Sequence, residues 1–436
     1  MKDIWCPLEE YSWDKVNGEV GEPLIRKQLD YVFANSPFYK KKIGKDAVGS
    51  SFTLDDLRSF PFTAKQELLD DELRYSPFGS YLIGGKTKIM RVHRTSGTNA
   101  RPLLLALSKA DIENSIECGA RCFWAADLRP EDVVVHCLNY CMWSGGVTDH
   151  QSLERTGAAV IPYGVGDSSN LIRTILMIRP SAIHCTPSYL SKLEVIVSQE
   201  FNSAPSKLGL RLGLFGGEGG VQDKAFRRRI EDVWGFRAMD ANYGMSDVLS
   251  MFGAECRVRD GLHFMGQGVI HPELKKLNDD TTLSWEPGAR GELVLTHLCK
   301  ECQPLVRYRT HDIIEIVSME RCECGRRSPR FRVIGRIEDM IIVRGVNVFM
   351  SSIAAVINEH LDMLTGEFRV AVDKADPIER CIVKVEVKKG KARAGLDVYL
   401  RDLFKSALYI RPSVEILPEA SLMRTAGKTQ YLERIL

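Results

Sequence analysis

One hydroxyl-rich turn has residue types that could do chemistry: His93-Arg94-Thr95-Ser96-Gly97-Thr98-Asn99-Ala100-Arg101-Pro102. Backbone N–H groups and hydroxyls in such a turn can cradle phosphate oxygens, and Arg94 and Arg101 add fixed positive charge. The Walker pattern is absent, which disfavours a P-loop NTPase. A second candidate is Cys322-Glu323-Cys324, two thiols on one short segment. A closed zinc site needs four N/S ligands, so a partner pair is required. Cys299 with Cys302 would complete a four-cysteine set, and Cys256 with His263 a three-cysteine, one-histidine set; spacing alone leaves both open. A third is Phe215-Gly216-Gly217-Glu218, where a Gly pair after an apolar run lets a flat ring approach the backbone.

The elements that must position these segments follow from hydrophobic patterning. Leu24, Ile25, Leu29, Val32 and Phe33 recur at helical spacing within residues 20–43. From about residue 130 to 245, short apolar runs alternate with amphipathic stretches such as Ser188–Ser198. The runs are Val133–His136, Ala158–Pro162, Ala182–Cys185 and Leu212–Phe215. That alternation predicts βαβ units and a parallel sheet, with ligands bound at the carboxyl ends of the strands. After residue 335 the texture changes. A helix over Ser352–Leu361, strands over Phe368–Val372 and Ile382–Val387, a helix over Leu396–Tyr409 and a strand over Ser413–Leu417 make a small unit of domain size. The expected fold is α/β. A large N-terminal domain of mostly parallel sheets and flanking helices (residues 1–334) precedes a small α+β C-terminal domain (residues 335–436).

Bulk properties exclude several classes. The 436-residue chain carries 59 basic and 57 acidic residues, a net charge of +2, so it has no electrostatic footprint for nucleic acid. No apolar run reaches the roughly 18 residues of a membrane span. Met1-Lys2-Asp3-Ile4-Trp5 lacks the apolar stretch of a secretory signal, and a cytoplasmic location is the expectation. The 12 cysteines then read as reduced thiols or metal ligands.

Taken in order, the motifs resemble the adenylate-forming enzymes, and in detail their phenylacetate–coenzyme A ligase branch. The turn is similar to that family's Ser/Thr-Ser-Gly-Thr-Thr-Gly-Lys-Pro loop: Thr95, Ser96, Gly97, Thr98 and Pro102 match, while Asn99, Ala100 and Arg101 replace Thr, Gly and Lys. Arg101 keeps the charge; Ala100 restricts the backbone. The resemblance implies that this loop holds the β- and γ-phosphates of ATP. Asn242-Tyr243-Gly244-Met245-Ser246-Asp247 resembles Tyr-Gly-x-Ser/Thr-Glu, which implies that Tyr243 stacks on adenine and Asp247 helps hold Mg²⁺. Asp247 is one methylene shorter than the usual Glu but remains a hard oxygen ligand. Gly217 and Glu218 fall where the family flanks adenine. Tyr308-Arg309-Thr310-His311-Asp312 resembles Tyr-Arg-Thr-Gly-Asp, which gives Asp312 the ribose hydroxyls. The segment from Gly335 and Arg336 through Glu338 and Arg344 to Phe349 is the closest match and resembles the hinge, with Glu338 at its acidic position and Arg336 beside the nucleotide. Arg424-Thr425-Ala426-Gly427-Lys428 resembles the terminal Gly-Lys motif, so Lys428 is the implied catalytic lysine. Pro61-Phe62-Thr63-Ala64-Lys65, Ser36-Pro37-Phe38-Tyr39 and Ser144-Gly145-Gly146 also fit this branch, and the likeness spans essentially the whole chain.

The resemblance favours Cys256, His263, Cys322 and Cys324 as a structural zinc set. It implies ATP, Mg²⁺ and coenzyme A as cofactors and a small carboxylic acid as substrate. An acyl pocket is expected from Tyr140, Trp143, Gly145, Gly216 and Ala241, and its flat apolar surface favours an aromatic acid. Two other acceptors, a carrier protein or an amine, stay open, as does a homodimer. A third reading, a non-catalytic nucleotide-binding regulator, is motivated by Asn99, Ala100 and Asp247 and weakened by Asp312, Arg336 and Lys428.

Overall fold

The structure is a computed structural model, and it describes residues 4–44, 46–95, 101–343, 346–373, 378, 380–423 and 431–435. The chain divides into two compact units. The larger comprises Met1–Gly217, Val233–Thr310 and Ile314–Arg332; the smaller comprises Glu218–Asp232, His311–Ile313 and Val333–Leu436.

In the larger unit the apolar stripe of residues 20–43 does not form one helix. Glu22–Asn35 is helical and buries Ile25, Leu29, Val32 and Phe33. Ser36 then leaves the helical region, because a residue before proline is disfavoured there. Pro37 opens a second helix, Pro37–Ile43, with Ser36 Oγ accepting from the Tyr39 N–H at 3.4 Å. A hairpin of β1 (Arg91–Arg94) and β2 (Leu104–Leu107) follows, in register from Arg91 opposite Leu107 to Arg94 opposite Leu104.

The predicted runs appear as β3 (Val133–His136), β4 (Ala159–Pro162), β5 (Ala182–Cys185) and β6 (Leu212–Gly216), joined by β7 (Arg237–Met245). They are parallel in the order β4-β3-β5-β6-β7. Helices Ser144–Arg155, Ser168–Ile178, Pro187–Phe201 and Lys224–Trp234 lie in the four connections. Val134, Ala182, Leu212, Leu214 and Met239 are wholly buried with Phe123 and Leu153, as central parallel strands require. Beyond β7 the same sheet continues through β8 (Leu249–Ala254), β9 (Leu262–Phe264), β10 (Ile270–Lys275), β11 (Thr282–Leu283), β12 (Arg290–His297), β13 (Tyr308–Ser318) and β14 (Arg330–Arg336). The pairs β7/β8, β8/β9, β9/β14, β10/β12 and β10/β11 are antiparallel, so a parallel half is extended by a meandering one.

The smaller unit pairs β15 (Met340–Val343) with β16 (Val346–Phe349). Its second sheet has the order β19-β18-β17-β20, from β17 (Leu364–Val372), β18 (Cys381–Val387), β19 (Ser413–Pro418) and β20 (Leu432–Arg434). Helices Met350–Asn358 and Leu396–Leu408 bury Ile353, Ile357, Leu400 and Phe404 with Phe368, Val370, Val383 and Val385. Each such side chain contributes about 1.5–3 kcal/mol on burial, a core of domain scale. Among the described residues no helix is long and apolar enough to cross a membrane.

Candidate active site and metal-ligand cluster

The carboxyl ends of β3, β5, β6 and β7 bring several predicted residues together. Trp143 precedes the helix Ser144–Arg155, and its ring lies over Gly145 and Gly217: a Cβ at Gly145 would come within 3.0 Å of the indole and one at Gly217 within 3.3 Å. Thr186, after β5, lies at 3.5 Å from the same Gly217 position. Gly216 faces Asn242, whose Cβ would be 2.3 Å from any added Cβ. Tyr140 packs edge-on against His136 and His150 and shares a 3.0 Å hydrogen bond with His150 Nδ1. Ala241 is fully buried in the apolar core of the sheet.

Beneath these residues runs a buried polar chain. His136 Nε2 lies 2.9 Å from the Gly146 carbonyl, and His136 Nδ1 lies 2.8 Å from His184 Nδ1. His184 Nε2 meets Asn242 Nδ2 at 3.4 Å, and the same Nδ2 donates to Asp149 Oδ2 at 2.5 Å. Ser250 donates to Asp149 Oδ1 at 2.7 Å. Burial pushes the Asp149 carboxyl up to about 8, against those two hydrogen bonds.

The turn after β7 carries the predicted magnesium ligand. Asp247 Oδ2 accepts from Lys65 Nζ at 3.1 Å and from the Tyr308 hydroxyl at 2.5 Å. Both contacts fall on Oδ2, and among the described residues no hydrogen bond reaches Oδ1. Mg²⁺ is usually held by one or two carboxylates with water and phosphate, so this single open oxygen fits it. Ser246 Oγ pairs with Ser144 Oγ at 2.7 Å. Tyr243 is held edge-on by Phe252 and Phe331, with ring centroids 5.1 and 5.5 Å away. Gly244 admits no side chain: a Cβ would lie 2.1 Å from the Ser250 carbonyl oxygen. Met245 closes β7 and is half-buried.

The expected phosphate loop joins β1 to β2. Ser96, Gly97, Thr98, Asn99 and Ala100 lie outside the described residues. Its entry is tied down by Thr95, which donates its N–H to the Leu103 carbonyl at 3.0 Å and accepts from the Leu103 N–H on Oγ1 at 3.0 Å. Its exit is tied by Glu72, which accepts from the Leu104 N–H at 3.3 Å and from the Tyr81 hydroxyl at 2.8 Å. Burial pushes the Glu72 carboxyl up to about 7; Tyr81, the Leu104 N–H and the Arg101 charge pull the other way. Sequence reasoning did not single out Glu72, which stands in an ordinary amphipathic helix, Lys65–Arg74.

In the smaller unit Arg336 Nη1 lies 3.3 Å from Asp312 Oδ1, and Arg336 Nε 3.3 Å from Glu338 Oε2. His311 stands where the resembled motif has glycine; it adopts φ +61 and sets Nδ1 2.5 Å from Glu338 Oε1. Despite partial burial, the His311 hydrogen bond and the Arg336 charge hold Glu338 down at about 2. Glu218 belongs to this unit and is half-buried. Arg344 and the terminal motif with Lys428 lie outside the described residues.

Cys256, His263, Cys322 and Cys324 are all buried, and their ligand atoms lie within 4.8 Å of one another. Cys256 Sγ and Cys322 Sγ are 3.8 Å apart, and Cys324 Sγ and His263 Nε2 are 3.6 Å apart. A tetrahedron with Zn–S of about 2.3 Å and Zn–N of about 2.05 Å has S···S edges of about 3.8 Å and S···N edges of about 3.6 Å. The residues therefore fit a tetrahedral metal. His263 Nδ1 is oriented by Ser328 Oγ at 3.0 Å, the outer contact that ligating histidines commonly make. The alternative pair is elsewhere: Cys299 contacts Asn114 Nδ2 and the Gly268 carbonyl, and Cys302 the Lys88 carbonyl.

The family described as AMP-binding enzyme C-terminal domain matches residues 345–433. Phenylacetate-coenzyme A ligase of Escherichia coli (strain K12) is 32% identical over 433 residues, 97% of this chain and 95% of that protein. The chain belongs to the phenylacetate–coenzyme A ligase family. Among solved structures, a 2-hydroxyisobutyryl-CoA ligase in the postadenylation state, bound to an acyl-AMP, has a TM-score of 0.90 at 25% identity and covers 100% of this chain and 93% of its own. The same ligase with 2-HIB-AMP and CoA in its thioesterification state has a TM-score of 0.72 at 26% identity, covering 99% and 92%. As a phenylacetate–coenzyme A ligase family member the protein is an adenylate-forming ligase: it activates a carboxylic acid with ATP and passes the acyl group to coenzyme A. The structure adds Glu72, His136, His184 and Asp149 to the sequence-derived residues, and it gives Lys65 and Tyr308, which stand in the quoted motifs, a contact with Asp247. His136 and His184 stand in the apolar runs Val133–His136 and Ala182–Cys185, but neither run tells what the ring will meet.

Proposed function

We propose that the acid is aromatic and that Asp247, Tyr243, Asp312, Arg336 and Lys428 serve its adenylation. The observation that carries this reading is the Asp247 carboxylate, with one oxygen committed to Lys65 and Tyr308 and the other open. Asp247 Oδ1 would hold Mg²⁺, which when bound neutralises phosphate charge during adenylation. Lys65 and Tyr308 fix that carboxylate so that no reorganisation is needed as charge develops. The Trp143 ring over Gly145 and Gly217 supports a flat acyl group, and the Tyr243 ring between Phe252 and Phe331 supports a stacked adenine. Residues 335–436 form the small mobile domain in this reading, with its hinge at Glu338. Cys256, His263, Cys322 and Cys324 hold a structural zinc. Twelve cysteines free of disulfides support a reducing, cytoplasmic setting.

Pyrophosphate exchange over a panel of aromatic and aliphatic acids tests the substrate class; thioester formation on adding coenzyme A completes it. Aromatic acids should give the higher kcat/KM. Asp247→Ala should lose about a hundredfold or more in exchange, the scale of removing one preorganised electrostatic group. Exchange confined to aliphatic acids would overturn the aromatic reading, and an Asp247→Ala enzyme with unchanged magnesium dependence would overturn the assigned site.

A further inference from the structure

The buried chain from Gly146 to Ser250 has no part in the adenylation chemistry above, yet it contains three fully buried titratable side chains: His136, His184 and Asp149. Burying such groups is costly, so a chain of them calls for a reason beyond stability. Its hydrogen bonds have a direction. The Gly146 carbonyl can only accept, so His136 gives it the Nε2 proton. Burial holds the His136 ring down to about 4 and the His184 ring well below its ordinary value, so both are neutral at pH 7. A neutral imidazole has one N–H, which makes His136 Nδ1 an acceptor and His184 Nδ1 the donor to it. His184 Nε2 is then an acceptor too, supplied by Asn242 Nδ2. The second proton of that amide goes to Asp149 Oδ2. Both protons of Asn242 are consumed, and flipping the amide would set acceptor against acceptor. What remains is Asn242 Oδ1, an oxygen that can only accept and that makes no hydrogen bond among the described residues, on a residue only 9% exposed.

Asn242 stands opposite Gly216 at the carboxyl ends of β6 and β7. A side chain at Gly216 would collide with it, and the Trp143 ring covers the adjoining Gly217. These are the residues against which the acyl group is placed above. We propose that Asn242 is a specificity-determining residue whose Oδ1 accepts a hydrogen bond from a hydroxyl or amino substituent of the acyl group. The preferred substrate is therefore a carboxylic acid bearing a hydrogen-bond donor, and the chain of His136, His184 and Asp149 is what holds the acceptor toward it. An acid without the donor leaves a desolvated carbonyl oxygen unpaired, which is how a hydrogen-bonding site rejects an analogue. This inference rests on the ligase reading and names the substrate class within it.

The test compares matched acids that differ by one hydroxyl, phenylacetate against mandelate and benzoate against salicylate, in pyrophosphate exchange. The readout is the ratio of kcat/KM within each pair, so a general loss of activity cancels. The wild-type enzyme should favour the hydroxy acid of at least one pair by about tenfold to a hundredfold, well within what an unpaired buried polar group can impose. Asn242→Leu should collapse that ratio toward one. His136→Phe removes the anchor but keeps Asn242, and should lower the ratio part of the way; it also serves if the leucine variant does not fold. A wild-type preference for the bare acid in both pairs overturns the proposal, as does a ratio unchanged in both variants. Absence of exchange with every acid would instead overturn the ligase reading beneath it.

Discussion

Asp149 is the residue at which burial and charge conflict most openly. Its carboxyl is pushed from an ordinary 3.8 up to about 8, by burial first. The folded state therefore binds a proton that the unfolded chain releases across that interval. A raised pKa of this kind contributes stability below about pH 4 that is lost as pH rises toward 8. Asp149→Asn keeps the shape and both hydrogen bonds without the titration. The variant should match the wild type in melting temperature near pH 4 and exceed it increasingly toward pH 8, measured by thermal unfolding across that range; parallel curves would show that Asp149 is ionised in the fold. Asp247, Asn242 and the candidate ligands Cys256, His263, Cys322 and Cys324 were legible through short segments that resemble the family's motifs; spacing alone left the metal set open. The sequence did not reveal Asp149 or His136, since a polar residue inside a helix or strand has no local pattern that tells which groups it will meet. Their meaning is created by the parallel register that sets His136 beside His184.

At the scale of elements, the cluster fastens β9 to the segment before β14. The backbone pairing there is short, Arg330 opposite His263 and Phe331 opposite Leu262. A metal held there, as proposed above, would supply what so few ladder bonds cannot. The purified protein should contain about one zinc per chain, as one closed tetrahedral site requires. Chelation, or the Cys322→Ser/Cys324→Ser variant, should remove it and lower the melting temperature by several degrees while changing the acid preference little. Zinc retained in full by that variant would refute the assignment. The parallel strands β3, β5 and β6 were legible because short apolar runs alternate with amphipathic helices. The antiparallel half was not. Strand β12 is buried at every position after Arg290, so it offers no period-two alternation. The break at Ser36 was also hidden, because the apolar stripe runs through it and only the proline marks the turn.

The whole molecule has to run two half-reactions with one set of residues. Adenylation needs a cation near the α-phosphate, whereas thioester formation needs room for a thiol. If Lys428 serves the first alone, Lys428→Ala should lose about a hundredfold or more in pyrophosphate exchange and still convert a supplied acyl-adenylate to thioester. Glu338→Pro should show the opposite pattern, because proline fixes the backbone at the hinge. Equal loss of both half-reactions in both variants would exclude alternation between two poses. Both assignments rest on the motif alone, since a lysine near the end of the sequence and a glutamate in the turn between β14 and β15 carry no pattern of their own. The metal-ligand cluster bears on how such a molecule is made. Its first two ligands, Cys256 and His263, leave the ribosome well before Cys322 and Cys324, and the stretch from Phe264 to Arg321 contains β10, β11, β12 and β13. The parallel half is complete before any of the four residues is synthesised, but with a metal bound as proposed, the antiparallel half would wait for its clasp. A nascent chain arrested between His263 and Cys322 is thus a half-closed sheet with an unpaired edge, the species that proteases and chaperones should find first.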